Sequence, residues 1–105
     1  MEKVRLYRQG DVLIKSLSKK PTGKKKIRIE GILAEGETTG HMHRVEDTTK
    51  AEVYEIGKKL LLSTAHGIRI LHEEHDPITL PKGHYQVIRQ RESTGVGRKV
   101  HRVLD

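Results

Sequence analysis

Short apolar runs, interrupted by Gly, Pro or charged residues, make up most of this chain, and helical periodicity is hard to find. Runs of this kind, rich in Val and Ile, predict β-strands. Leu60, Leu61 and Leu62 form an unbroken apolar run, which is expected of a strand covered on both faces. The pattern predicts strands at Val4–Tyr7, Val12–Leu17, Ile27–Ala34, Glu52–Ile56, Leu60–Ser63, Ile68–Leu71, Ile78–Leu80, Tyr85–Gln90 and Lys99–Val103.

Turn residues separate these runs. Gly57-Lys58 predicts a tight hairpin, and Ala65-His66-Gly67 and Pro81-Lys82-Gly83 predict two further turns. Many short strands at nearly even spacing predict an all-β sandwich or barrel. The polar loops at 19–26 and 93–97 are too short to divide the chain, so we expect a single β domain over residues 1–105.

The composition limits how large the core of this domain can be. The 105 residues include three Tyr and neither Phe nor Trp, so the core must be built from Leu, Ile and Val. A thin core often gains support from a metal ion or from a second copy of the chain, and we expect a homo-oligomer. The absence of Cys excludes disulfides, zinc-thiolate sites and cysteine nucleophiles.

Charge and hydropathy suggest where the protein works and what it binds. The N-terminus lacks the apolar stretch of a secretion signal, and no run is long enough to span a membrane, so we expect a soluble cytoplasmic protein. The net charge is +7, but residues 31–77 are net negative and contain five of the seven histidines. A cation site in that stretch is electrostatically reasonable, whereas the basic ends could contact phosphates.

The first histidine segment runs from Gly36 to His43. Residues two apart in an extended segment point to the same face, so His41 and His43 would present their imidazoles side by side. The second segment, His72 to Pro77, follows a predicted strand, and His75 could return toward His72 in a turn.

Two pairs of histidines form a plausible site with three or four ligands. Neutral imidazoles suit a divalent transition metal such as zinc, iron, nickel or manganese. Glu46, Glu73 and Glu74 could add a carboxylate ligand or an acceptor beside the ligands. The alternative is that these histidines are exposed side chains in polar loops.

The two segments resemble the cupin superfamily, small β-barrels in which two short motifs line a metal site. The resemblance places His41 and His43 on metal-binding histidines of the first motif and implies an acid nearby, for which Glu46 is a candidate. The stretch from Asp76 to Gly83 matches the start of the second motif, whose histidine position is occupied here by Gln86. The resemblance implies a cupin-like barrel with Gln86 as a weaker ligand, or with His72 or His75 in its place.

Two function classes follow. The first is a metalloenzyme acting on a small or anionic substrate, with Glu73 or Glu74 as general base and Arg89 as anion holder. The second is a non-catalytic module that binds nucleic acid or a protein through basic clusters at 24–28 and 98–102. These clusters contain no aromatic residues to stack on bases, so a solvated sheet edge is the simpler interpretation of them.

Overall fold

A computed structural model of the protein describes residues 4–36 and 40–90. The predicted strand Lys99–Val103, the basic cluster at 98–102 and residues 37–39 of the first histidine segment lie outside these ranges. The described residues form ten strands and no helix: β1 Leu6–Gln9, β2 Val12–Leu17, β3 Lys26–Ile27, β4 Ile32–Glu35, β5 Met42–Val45, β6 Glu52–Ile56, β7 Lys59–Thr64, β8 Ile68–Leu71, β9 Ile78–Leu80 and β10 Gly83–Arg89. The described part of the chain therefore contains no helix that could cross a membrane.

The strands form two antiparallel sheets. One has six strands in the order β1-β2-β10-β7-β6-β3, and the other has four in the order β4-β5-β8-β9. Apolar side chains alternate along the strands and meet between the sheets, as in a β-sandwich. This core consists of Val12, Ile14, Val53, Leu62, Tyr85 and Val87 from the larger sheet and Leu33, Ala34, Val45, Ile68, Ile70 and Leu80 from the smaller one. The predicted all-β class is confirmed, and of the two predicted architectures the sandwich is the one that fits.

Several local predictions are also confirmed. The Gly57-Lys58 hairpin joins β6 to β7, with Ile56 paired to Lys59. Leu61 and Leu62 are neighbours in a strand and so point to opposite faces, and both are buried. The β7 strand is therefore covered on both sides, as its apolar run predicted.

Four predicted strands have different bounds in the structure. Leu60–Ser63 and Tyr85–Gln90 differ only at their ends, as Lys59–Thr64 and Gly83–Arg89, and two others differ more. The first lies at Leu6–Gln9 rather than Val4–Tyr7, because Gly10 and Asp11 form a two-residue turn that pairs Gln9 with Val12. The predicted strand Ile27–Ala34 is two strands, β3 and β4, in different sheets. Gly31 separates them with a φ of 71°, a left-handed conformation that interrupts an extended run.

Candidate metal centre

Three histidines continue the inward-facing rows of two paired strands. His43 and Val45 of β5 are buried and share a face, and His41 lies two residues before His43. Along β8, Ile68 and Ile70 point inward, and His72 occupies the next position of that row.

The pairing of β5 with β8 brings these rows together. Arg44 pairs with Leu71 in an antiparallel ladder, so the next pair along it sets His43 opposite His72. Their ring centroids are 4.2 Å apart. His72 lies 5.7 Å from His41 and 4.7 Å from His75, again between ring centroids. The structure thus brings all four predicted histidines into one cluster at the end of the sandwich core.

A buried glutamine sets the tautomer of His43. Gln9 at the end of β1 is 2% exposed, and its Nε2 donates to the backbone oxygens of Ile70 and Asp76, at 3.0 and 2.9 Å. Its Oε1 therefore faces His43 Nδ1, 2.8 Å away, and an amide oxygen can only accept. We infer from this network that Nδ1 of His43 carries the proton, which leaves a lone pair on Nε2. Metal-binding histidines commonly donate their second ring N–H in this way.

An aspartate faces that lone pair. Asp11 Oδ1 lies 3.2 Å from His43 Nε2, and Arg89 Nε donates to Asp11 Oδ2 at 3.0 Å. Burial opposes ionisation of Asp11, but the hydrogen bond and the charge of Arg89 outweigh it and lower the pKa of the carboxyl. Burial, and then the neighbouring His72, lower the pKa of His43, which favours the neutral ring that a metal requires.

The second histidine segment is tied to the first by hydrogen bonds. Glu73 Oε1 accepts a 2.9 Å bond from the backbone N–H of Met42, and this bond is the first cause of the lowered pKa of Glu73. Donor atoms of His41, His72 and Glu73 all lie within 4.8 Å of one another, a spacing that could hold a metal ion. Glu74 is 66% exposed, with Oε2 3.6 Å from His41 Nδ1.

His72 is less ready than His43 to bind a metal. Its Nδ1 accepts backbone N–H bonds from Glu74 at 3.0 Å and from His75 at 3.2 Å. A neutral His72 ring in this position carries its proton on Nε2. Coordination through Nδ1 would break these two bonds, and coordination through Nε2 would require loss of its proton. The neutral His43 ring, by contrast, already presents a bare nitrogen.

Two other predicted ligands lie elsewhere. Glu46 binds Arg69 through two bonds of 3.0 and 2.6 Å on the exposed side of the smaller sheet. Gln86 lies between Tyr85 and Val87 on β10, and since those two point into the core, its side chain is on the outer face of the larger sheet. The structure does not bring either residue to the histidine cluster. Arg89, predicted as the anion holder, pairs with the carboxylate of Asp11.

The basic cluster at 24–28 has acidic neighbours. Lys25 Nζ lies 2.9 Å from Glu52, and Arg28 lies 2.6 Å from Glu55. Both acids are on β6, the strand next to β3. These pairs offset part of the positive charge that phosphate binding would use.

The sequence analysis missed the contribution of the first hairpin, Gln9-Gly10-Asp11. A glycine that opens a two-residue loop between two strands is a common hairpin pattern and could have located this turn. Gly10 has a φ of 59°, and a Cβ added there would lie 2.6 Å from His75 Nε2 and 3.4 Å from His43 Cε1. No local pattern, however, indicates that this turn meets histidines of the other sheet.

Comparison with known proteins identifies a family for the chain. No curated protein and no solved structure matches it. One family model, described as a domain of unknown function, DUF8820, matches residues 8–90. This range includes the first hairpin, all four clustered histidines and Arg89. The chain belongs to the DUF8820 family.

Proposed function

We propose that this protein binds a divalent transition metal ion through its histidine cluster, with His43 as the central ligand and His41, His72 and His75 around it. The single observation behind the proposal is the buried His43 ring, whose Nδ1 faces Gln9 and whose Nε2 faces Asp11, with the ring centroids of His72 and His75 4.2 and 6.3 Å away. Imidazole and carboxylate donors without thiolate suit zinc, iron, nickel or manganese.

The surroundings of the cluster support cation binding. Asp11, Glu73 and Glu74 place three carboxylates beside it. Imidazoles this close together repel one another when protonated, and a shared cation removes that repulsion. All four histidines lie on or next to strands of the smaller sheet, and Asp11 beside them belongs to the β1–β2 hairpin of the larger sheet. A bound ion would therefore lie where the two layers of a domain with a thin core meet.

We propose further that the bound metal has a catalytic role. A metal with an open position would activate a small or anionic substrate or generate a bound hydroxide. Glu74 is the better general base of the two predicted, because it is mostly exposed whereas Glu73 is held by the Met42 N–H. A cytoplasmic location and a cupin relationship remain predictions, and the metal proposal depends on neither.

Metal analysis of protein purified without a histidine tag tests the proposal. We expect the wild type to contain about one equivalent or more of a transition metal per chain. The His43→Ala variant should lose most of this metal. The control is His66→Ala, which removes an exposed histidine before β8, at the opposite end of that strand from His72. Equal metal content in the wild type and in His43→Ala, or no uptake by the wild type from a zinc-containing buffer, would refute the proposal.

A further inference from the structure

One contact between the two sheets at this site joins two atoms that can both carry lone pairs. In the neutral His43 ring, Nδ1 carries the proton and donates to Gln9, so Nε2 is bare. Asp11 Oδ1 is a carboxylate oxygen whose partner oxygen already accepts from Arg89. Two acceptors that face each other at 3.2 Å repel unless a positive charge lies between them.

The separation itself fits a metal ion between the two atoms. An imidazolium that donates to a carboxylate draws the two atoms to about 2.7–2.9 Å. A tetrahedral ion with bonds of about 2.0–2.1 Å to nitrogen and oxygen keeps its ligand atoms roughly 3.3 Å apart. The observed 3.2 Å is long for such a charged hydrogen bond and is compatible with a shared ion.

We infer that Asp11 is a ligand of the ion in the proposed site and that the ion lies between Asp11 Oδ1 and His43 Nε2. This inference rests on the proposed metal-binding function and deepens it: the site is a mixed histidine–carboxylate centre spanning both sheets. His75 is the next candidate ligand, since its Nε2 lies 2.6 Å from the position that a Cβ on Gly10, the neighbour of Asp11, would take.

Two residues hold this pair of ligands in place without touching the ion. Gln9 is fixed by two backbone oxygens and fixes the His43 ring. Arg89 binds the outer oxygen of Asp11 and leaves Oδ1 for the ion. Partners of this kind typically change metal affinity by about 10- to 100-fold when they are removed.

The zinc affinity of Asp11→Asn, measured by competition with a chelating dye, tests the inference. We expect Asp11→Asn to bind zinc at least tenfold more weakly than the wild type. The matched control is Glu46→Gln, which also neutralises a carboxylate paired with an arginine but lies away from the cluster. Its zinc affinity should stay within about twofold of the wild type. An Asp11→Asn variant that binds zinc as tightly as the wild type overturns the inference and leaves the proposed function standing; a wild type that binds no zinc overturns both.

A second measurement on the wild type keeps the test independent of the folding of Asp11→Asn. Titration of zinc into protein labelled with ¹³C-aspartate and ¹⁵N-histidine should shift the Asp11 Cγ and His43 Nε2 resonances together. Saturation of the protein with zinc while the Asp11 Cγ resonance stays unchanged would show that the carboxylate is not a ligand.

Discussion

Replacing Gly10 with alanine tests how the first hairpin holds the histidine cluster. The added Cβ would lie 2.6 Å from His75 Nε2 and 2.8 Å from His75 Cδ2, closer than two such atoms can approach. The His75 ring is on an exposed loop, so we expect it to turn away rather than unfold the domain. The perturbation therefore removes His75 from the cluster and leaves the core intact.

Gly10→Ala should have two effects, one on stability and one on zinc affinity. Gly10 has a φ of 59°, and an alanine held in that conformation costs about 1–3 kcal/mol. Loss of a metal ligand adds a second effect, a decrease in zinc affinity of roughly tenfold or more, which corresponds to about 1.4 kcal/mol.

A variant at a second glycine separates the stability effect from the effect on zinc affinity. Gly57 also opens a two-residue hairpin loop and has a φ of 62°, but a Cβ added there would meet nothing within 4 Å. Gly57→Ala therefore carries the backbone cost alone. Both variants should lose similar stability, about 4–8 °C in melting temperature for each kcal/mol in a domain of about this size.

Thermal melts with and without zinc, together with zinc titration, measure both effects. We expect comparable melting temperatures for the two metal-free variants and weaker zinc binding only in Gly10→Ala. Zinc binding by Gly10→Ala that equals that of Gly57→Ala would refute the placement of His75 in the metal site.

Two further predictions concern the fold. Burial raises the pKa of the Tyr85 phenol, which donates to the backbone oxygen of Pro81, so the folded protein keeps this proton to higher pH than the unfolded chain. Stability should therefore fall as the pH rises above about 10, the ordinary value for tyrosine, and urea melts should show a smaller fall in Tyr85→Phe; an equal fall in both proteins would contradict this. Leu62→Ala, at a fully buried position between the sheets, should lower the free energy of unfolding by about 2–5 kcal/mol in urea titrations. A loss below about 1 kcal/mol would show that β7 does not pack as described.

The local sequence pattern was sufficient to predict most of the strands and part of the histidine site. The period of two along a strand predicted that His41 and His43 share one face. In the structure the same period extends the row of Ile68 and Ile70 to His72, which was predicted only to follow that strand. The glycine of the Gly57-Lys58 pair was sufficient for a hairpin. These features depend on backbone preferences of neighbouring residues, so they can be predicted without knowing what the strands pack against.

Two predicted ligands, Glu46 and Gln86, lie away from the cluster because strand register and alternation, rather than their spacing in the chain, decide where they point. Glu46 was a reasonable ligand by its position in the chain, but the register between β5 and β8 puts Arg69 within reach of it. Gln86 was chosen for its spacing from Gly83, but strand alternation turns it away from the smaller sheet.

The amino-acid sequence alone determined the all-β class, most of the strands and the face that His41 and His43 share, because alternation and turn chemistry act between near neighbours. Only the tertiary structure decided that His43 lies opposite His72, and that Gln9 and Asp11 of the other sheet meet His43 at its two nitrogens. Pairing between strands that no hairpin joins, and packing between the two sheets, are set by contacts between distant parts of the chain, which no local pattern specifies.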